Sequence, residues 1–183
     1  MSAAVMTDPI AEASPRFRAR MAGVFFSLTM LTAAFTHVAR GRLNFAADLA
    51  AGIVEVSGMV AVTLLFYFIF KPVNRSLSLL AASFNLAGLT LEAIQVLNIG
   101  LVFHGLYCLV IGYLIFRSTF LPRILGVLME IAGLCFLTFL SPPLANYQPP
   151  YNLLAGLAGE GLVMLWLLVM GVNVQRWREG AAH

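Results

Sequence analysis

Four glutamates stand inside apolar stretches of this chain: Glu55, Glu92, Glu130 and Glu160. Two histidines, His37 and His104, do the same, and Asn85 and Gln95 accompany Glu92. Carboxylates and imidazoles can bind cations, exchange protons or ligate metals, and in hydrocarbon they are costly. On insertion scales a carboxylate at the centre of a membrane helix costs about 2.5–3.5 kcal/mol, against a gain of about 0.5 kcal/mol for a leucine. Such groups must face protein or water, and their neighbours indicate which way they point. Glu55 lies between Gly52 and Gly58, and Glu130 between Gly126 and Gly133; Gly88 and Gly156 stand one turn before Glu92 and Glu160. Residues three and four apart share a helix face, and small residues mark faces where membrane helices approach closely. All four glutamates are therefore expected to point into a bundle. Ser78, Ala81, Asn85, Gly88, Glu92 and Gln95 form the clearest such stripe.

Several chemistries fit these residues. The plainest is interhelical glue, with Glu92 and His104 as a structural hydrogen-bonded pair; polar pairs stabilise membrane helices by about 0.6 kcal/mol on average. A second is an outward-facing cavity that binds a small ligand, ion or proton, because intramembrane ionisable groups commonly mark pathways. Glu92 and His104 would be its coupled pair, Glu55 and His37 its rim, and Glu160 its floor, with Asn85 and Gln95 lining it. A third is a zinc site built from His37, His104 and carboxylates, which would make a membrane-embedded enzyme. A fourth is bis-histidine haem between His37 and His104. No HExxH or CxxCH motif, phosphate-cradling glycine loop, nucleophile elbow or dinucleotide fingerprint is present. The expectation is therefore binding without catalysis and no resident cofactor. Cys108 and Tyr107 share the face of His104 and are read as core packing. Ser27, Thr29, Thr32 and Thr36 are read as bonding back to their own helix.

The elements that must position these residues follow from composition. Of 183 residues, 61% are hydrophobic and 10% charged, whereas soluble domains carry about 45–50% apolar and about 25% charged residues. A crossing of the hydrocarbon core takes about 20 apolar residues. Six spans are expected, over 21–39, 49–70, 77–97, 101–116, 124–140 and 151–170, with residues 98–100 as a tight turn. The fold class is an all-α, six-transmembrane-helix bundle occupying residues 21–175. Residues 1–20 are expected to be a disordered cytoplasmic segment, and 176–183 a cytoplasmic tail.

Orientation follows from the bases. Arg16, Arg18, Arg20, Lys71, Arg75, Arg117, Arg123, Arg176 and Arg178 fall on one side of such a bundle, and only Arg40 and Arg42 on the other. Lys and Arg accumulate in cytoplasmic loops, so both termini are expected inside and the net charge of +3 reflects topology rather than nucleic-acid binding. Trp177 between Arg176 and Arg178 is expected to anchor at the interface. The lipid bilayer is the expected partner, with a second copy or a membrane complex as the alternative partners. Cys108 and Cys135 both lie in apolar runs and imply no disulfide framework.

Four stretches carry a resemblance. They run from Phe66-Tyr67 through Lys71-Pro72-Val73-Asn74-Arg75; from Gly105-Leu106-Tyr107-Cys108 to Phe116-Arg117-Ser118; over Leu121-Pro122-Arg123-Ile124-Leu125-Gly126; and from Gly159-Glu160 to Gly171-Val172-Asn173. Together they resemble the bacterial membrane family catalogued as domain of unknown function 4386. The resemblance implies a multi-pass inner-membrane protein and no established activity. Two departures accompany it. Relatives carry an extra segment between the third and fourth helices, where this chain has Asn98-Ile99-Gly100, and they tend to have histidine at the position of Tyr107, three residues after His104.

Overall fold

The computed structural model describes residues 14–39, 44–94, 96–141, 143 and 151–181. The described residues contain seven α-helices and no strand: α1 Pro15–Val38, α2 Phe45–Phe70, α3 Arg75–Ala93, α4 Leu97–Arg117, α5 Arg123–Leu137, α6 Tyr151–Val169 and α7 Val174–Ala181, with a 3₁₀ turn at Thr138–Leu140. Five of them are long and apolar enough to cross a membrane. A sixth crossing results if α6 is taken together with α7, which is bent 105° away from it.

Local chemistry sets the helix starts. Ser14 caps α1 through its hydroxyl, which accepts from the Phe17 amide at 3.2 Å, and Pro15 occupies the first helical position. Asn44 and Asn74 cap α2 and α3 in the same manner, each at 2.9 Å. Because of the Ser14 cap, α1 begins at Pro15 and not at the expected Met21, so the described part of the expected disordered segment is mostly helical. The C-terminal tail is also mostly helical, as α7. Residues 1–13, 40–43, Gln95, 142, 144–150 and 182–183 lie outside the described residues.

The expected turn at 98–100 is the largest displacement. Asn98-Ile99-Gly100 lies inside α4, and the reversal comes earlier, between the end of α3 at Ala93 and the start of α4 at Leu97, with the Val96 amide reaching the Leu91 carbonyl at 2.8 Å. Gly100 serves packing, not turning. A Cβ there would meet the Glu92 Cγ at 2.6 Å and the Gly88 carbonyl oxygen at 3.1 Å. Glycine allows α3 and α4 to close into a hairpin.

Each of α1 to α6 lies against its sequence neighbours, and α6 closes on α1, so the helices form a ring. Glycines set the tightest seam, between α4 and α5. A Cβ on Gly133 would stand 2.8 Å from the Gly105 carbonyl oxygen, and one on Gly126 would stand 2.7 Å from that of Gly112. Large apolar side chains such as Leu31, Phe35, Ile53, Leu134 and Val169 point outward and are exposed, while Thr63, Ser78, Asn85 and Glu160 are buried. An apolar outer surface around a core that also holds buried polar groups suits a lipid surround.

The starts of α1, α3 and α5 and the ends of α2, α4 and α6 share one end of the ring, which carries the nine expected basic residues. Most of the buried apolar core, with Phe66, Ile69, Phe70, Leu114, Ile115 and Phe120, lies in the half of the bundle nearest that end. There α7 lies across the bundle, and the Trp177 Nε1 donates to the Ile69 carbonyl at 2.8 Å.

Candidate functional site

Four helices send polar side chains to one place between the basic end and the opposite end. Thr63 comes from α2, Asn85 from α3, His104 and Cys108 from α4, and Glu160 from α6. The Thr63 hydroxyl donates to the Met59 carbonyl at 2.8 Å and accepts from the Asn85 Nδ2 at 2.6 Å. Asn85 Oδ1 stands 3.0 Å from His104 Nδ1, and His104 Nε2 stands 2.5 Å from Glu160 Oε1. The Cys108 thiol donates to the same carboxylate oxygen at 3.1 Å.

Thr63 spends its one proton on Met59, so it must accept from Asn85, which turns the amide nitrogen towards Thr63 and the amide oxygen towards His104. The imidazole Nδ1 must then carry a proton. One further proton lies between His104 Nε2 and Glu160 Oε1, where either partner can hold it, so the pair is either neutral–neutral or an ion pair with no net charge. Burial makes that neutrality valuable. The His104 and Glu160 side chains are 13% and 3% exposed, and Asn85, Thr63 and Cys108 are buried.

Packing fixes the imidazole. The Phe136 ring meets it edge-on at 5.1 Å and the Tyr107 ring lies 5.6 Å away. Gly156 admits the same Phe136 ring, since a Cβ there would stand 2.8 Å from its Cζ. Glycine on α6 thus lets Phe136 of α5 press on His104 of α4. The Tyr107 hydroxyl is buried and has no hydrogen-bond partner among the described residues.

The other expected site residues lie around this centre. Glu55 and Glu92 are half-buried, and Coulomb interactions link Glu92 to His104, Glu55 and Glu160. At 1.5 Å per residue from the basic ends of their helices, Thr63 sits at about 10 Å, Cys108, Glu160 and Asn85 at about 14–15 Å, and His104 at about 20 Å; Glu55 and Glu92 follow at about 22–26 Å. Two carboxylates therefore lie beyond the centre, towards the end opposite the arginines. The expected hydrogen bond between Glu92 and His104 is not formed, because Asn85 and Glu160 take both ring nitrogens and the Glu92 side chain lies over Gly100. Glu130 sits apart, with its Cγ over Gly112 in the α4–α5 seam. His37 lies in the last turns of α1; Gln95 is outside the described residues.

Cys108 is the participant that the sequence reading left in the apolar core. Its signal was present: four residues after His104 on a helix, it shares the imidazole's face. The back-bonding expected on α1 is found. Ser27, Thr29, Thr32 and Thr36 donate to the carbonyls of Gly23, Phe26, Leu28 and Ala33 at 2.8–3.0 Å.

Ring architecture, outward apolar surface and buried polar centre define a multi-pass α-helical membrane protein. Within that class, residues 95–171 match the family described as "Domain of unknown function (DUF4386)". That segment contains α4, α5 and α6, and so His104, Cys108 and Glu160, but not Thr63 or Asn85. An "Uncharacterized protein" of Archaeoglobus fulgidus is 27% identical across 61% of this chain and 76% of its own length. Both matches support the family resemblance carried by the sequence motifs, the family match over a shorter stretch than those motifs span. No solved structure matches the chain.

Proposed function

We propose that this is a non-enzymatic protein of the bacterial inner membrane that binds a small cation in its polar centre. Its basic end faces the cytoplasm and the centre is reached from the opposite side. The observation that carries the reading is the placement of His104 between Asn85 and Glu160, with two further carboxylates beyond it. A carboxylate, an imidazole and a thiol concentrate electron pairs at one buried point. Their contact distances of 2.5–3.1 Å mean that a small separation of the side chains would admit an ion, whereas an organic solute would need far more space. Glu55 and Glu92 add negative charge on the approach side, which favours cations over anions. The positive-inside bias supports the orientation.

Calorimetric titration of the purified full chain with chloride salts of sodium, potassium, magnesium, calcium, manganese and zinc tests the binding, with choline chloride as the control. At least one metal cation should bind at about one per chain, and Glu160→Gln should weaken it at least tenfold. Heats equal to those of choline for every salt would overturn the proposal. For orientation, a reporter active only in the cytoplasm, fused after His183, should be active; activity of a periplasm-only reporter at that point would reverse the topology.

A further inference from the structure

We infer that the cation is a divalent transition metal of the zinc type, held by His104 Nε2, Cys108 Sγ and a Glu160 carboxylate oxygen. The inference rests on the cation-binding reading and names its ligands. These three donor atoms lie within 4.8 Å of one another, and all three residues are buried. Zinc–ligand bonds of about 2.0–2.3 Å set tetrahedral ligand separations near 3.3–3.7 Å. The present Sγ–Oε1 separation of 3.1 Å is close to that, and the 2.5 Å between Nε2 and Oε1 must open by about 1 Å.

Three independent features favour a metal over an ordinary polar contact. His104 and Cys108 stand four residues apart on one helix, so a single rigid element presents two ligands on one face. Asn85 Oδ1 accepts from His104 Nδ1 at 3.0 Å, which directs the Nε2 lone pair at the cluster, as outer-shell partners of metal-bound histidines do. The Tyr107 hydroxyl is buried without a partner among the described residues, on the residue next to Cys108 and on a ring 5.6 Å from the His104 imidazole. It is a polar atom that a partly hydrated ion would satisfy.

Charge and softness choose the ion. With thiol and carboxylate ionised, the ligands carry two negative charges, which a divalent ion cancels, so no net charge is buried in hydrocarbon. A thiolate and an imidazole select zinc-like ions over magnesium or calcium, which prefer all-oxygen sites. Three protein ligands leave a fourth position for exchange with the approach side.

Cobalt(II) titration of the purified full chain in detergent provides the test, because thiolate ligation gives a near-ultraviolet charge-transfer band that histidine and carboxylate do not. The band should saturate at about one cobalt per chain and be bleached by zinc. Cys108→Ser should abolish it, whereas Cys135→Ser, which removes the other cysteine, should keep it. Asn85→Leu should weaken cobalt affinity about 10–100-fold with the band retained, as expected for a positioning residue. Circular dichroism of each variant reports its fold. A band that persists in Cys108→Ser, or a folded wild type that gives none, overturns the metal assignment. Stabilisation by a hard cation without any charge-transfer band would do so while leaving the cation-binding reading standing; the absence of every cation effect would sink both.

Discussion

Glu160 and Glu130 occupy neighbouring helices, each on a face bearing small residues, yet the bundle treats them differently. Glu160 accepts from Cys108 and shares a proton with His104. Glu130 lies over Gly112 in a seam so tight that a Cβ on Gly112 would stand 2.6 Å from its Cγ, and it makes no hydrogen bond or ion pair with another described residue. Small neighbours thus show that a glutamate faces protein, but not that it meets chemistry. Where glycines on both helices bring backbones together, as in α4 and α5, no polar partner fits between them. Where the ring leaves its middle open to side chains from α2, α3, α4 and α6, a polar network can form.

The largest expected effect separates the two glutamates directly. Glu160→Ala leaves the Nε2 of His104 and the Cys108 thiol without their acceptor, and removal of one partner from a buried pair costs about 3–5 kcal/mol. Unfolding in detergent should show a loss near the lower figure, whereas Glu130→Ala should cost less than half as much. Equal losses would erase the distinction. Next comes the seam. Gly126→Ala places a Cβ 2.7 Å from a backbone oxygen, and overpacking costs about 1–3 kcal/mol. Gly52→Ala, with nothing within 4 Å of the new atom, should be neutral or gain up to about 1 kcal/mol of helix propensity. The smallest effect belongs to the basic end, where Trp177→Phe removes the 2.8 Å bond to the Ile69 carbonyl for about 0.5–1.5 kcal/mol. The same unfolding measurement ranks all of these variants.

Much of the architecture was legible because lipid makes strict demands. Apolar length and the placement of bases located the helices, but the Asn44 and Asn74 caps were not read, and α2 and α3 begin at Phe45 and Arg75 instead of the expected 49 and 77. The stripe of Ser78, Ala81, Asn85 and Gly88 is buried as the spacing implied. The reading failed where a residue has two uses. Gly100 has the chemistry of a turn and serves as a contact, so the reversal fell a few residues early. Gly52 flanks Glu55 but faces open space.

The partner of His104 was missed for a geometric reason. Glu92 lies beyond the level of His104, although height along a helix can be counted roughly from sequence. Azimuth between helices that are not consecutive cannot, and the ring closure that turns α6 towards α4 decides that Glu160 receives the imidazole. Cys108 was missed with it, since its partner lies on that same helix. The zinc-type ligand set proposed above therefore differs from the expected set of His37, His104 and carboxylates.

The most direct test of the account is the cation-dependent shift in thermal unfolding of wild type, Glu160→Gln and Glu130→Gln, measured side by side with zinc chloride at fixed pH. Ligands that bind only the folded state raise its stability by about 2.7 kcal/mol at one hundred times their dissociation constant. The account predicts a shift of that order in wild type and in Glu130→Gln, and its loss in Glu160→Gln. A shift that survives in Glu160→Gln, or that is absent from all three, would contradict it.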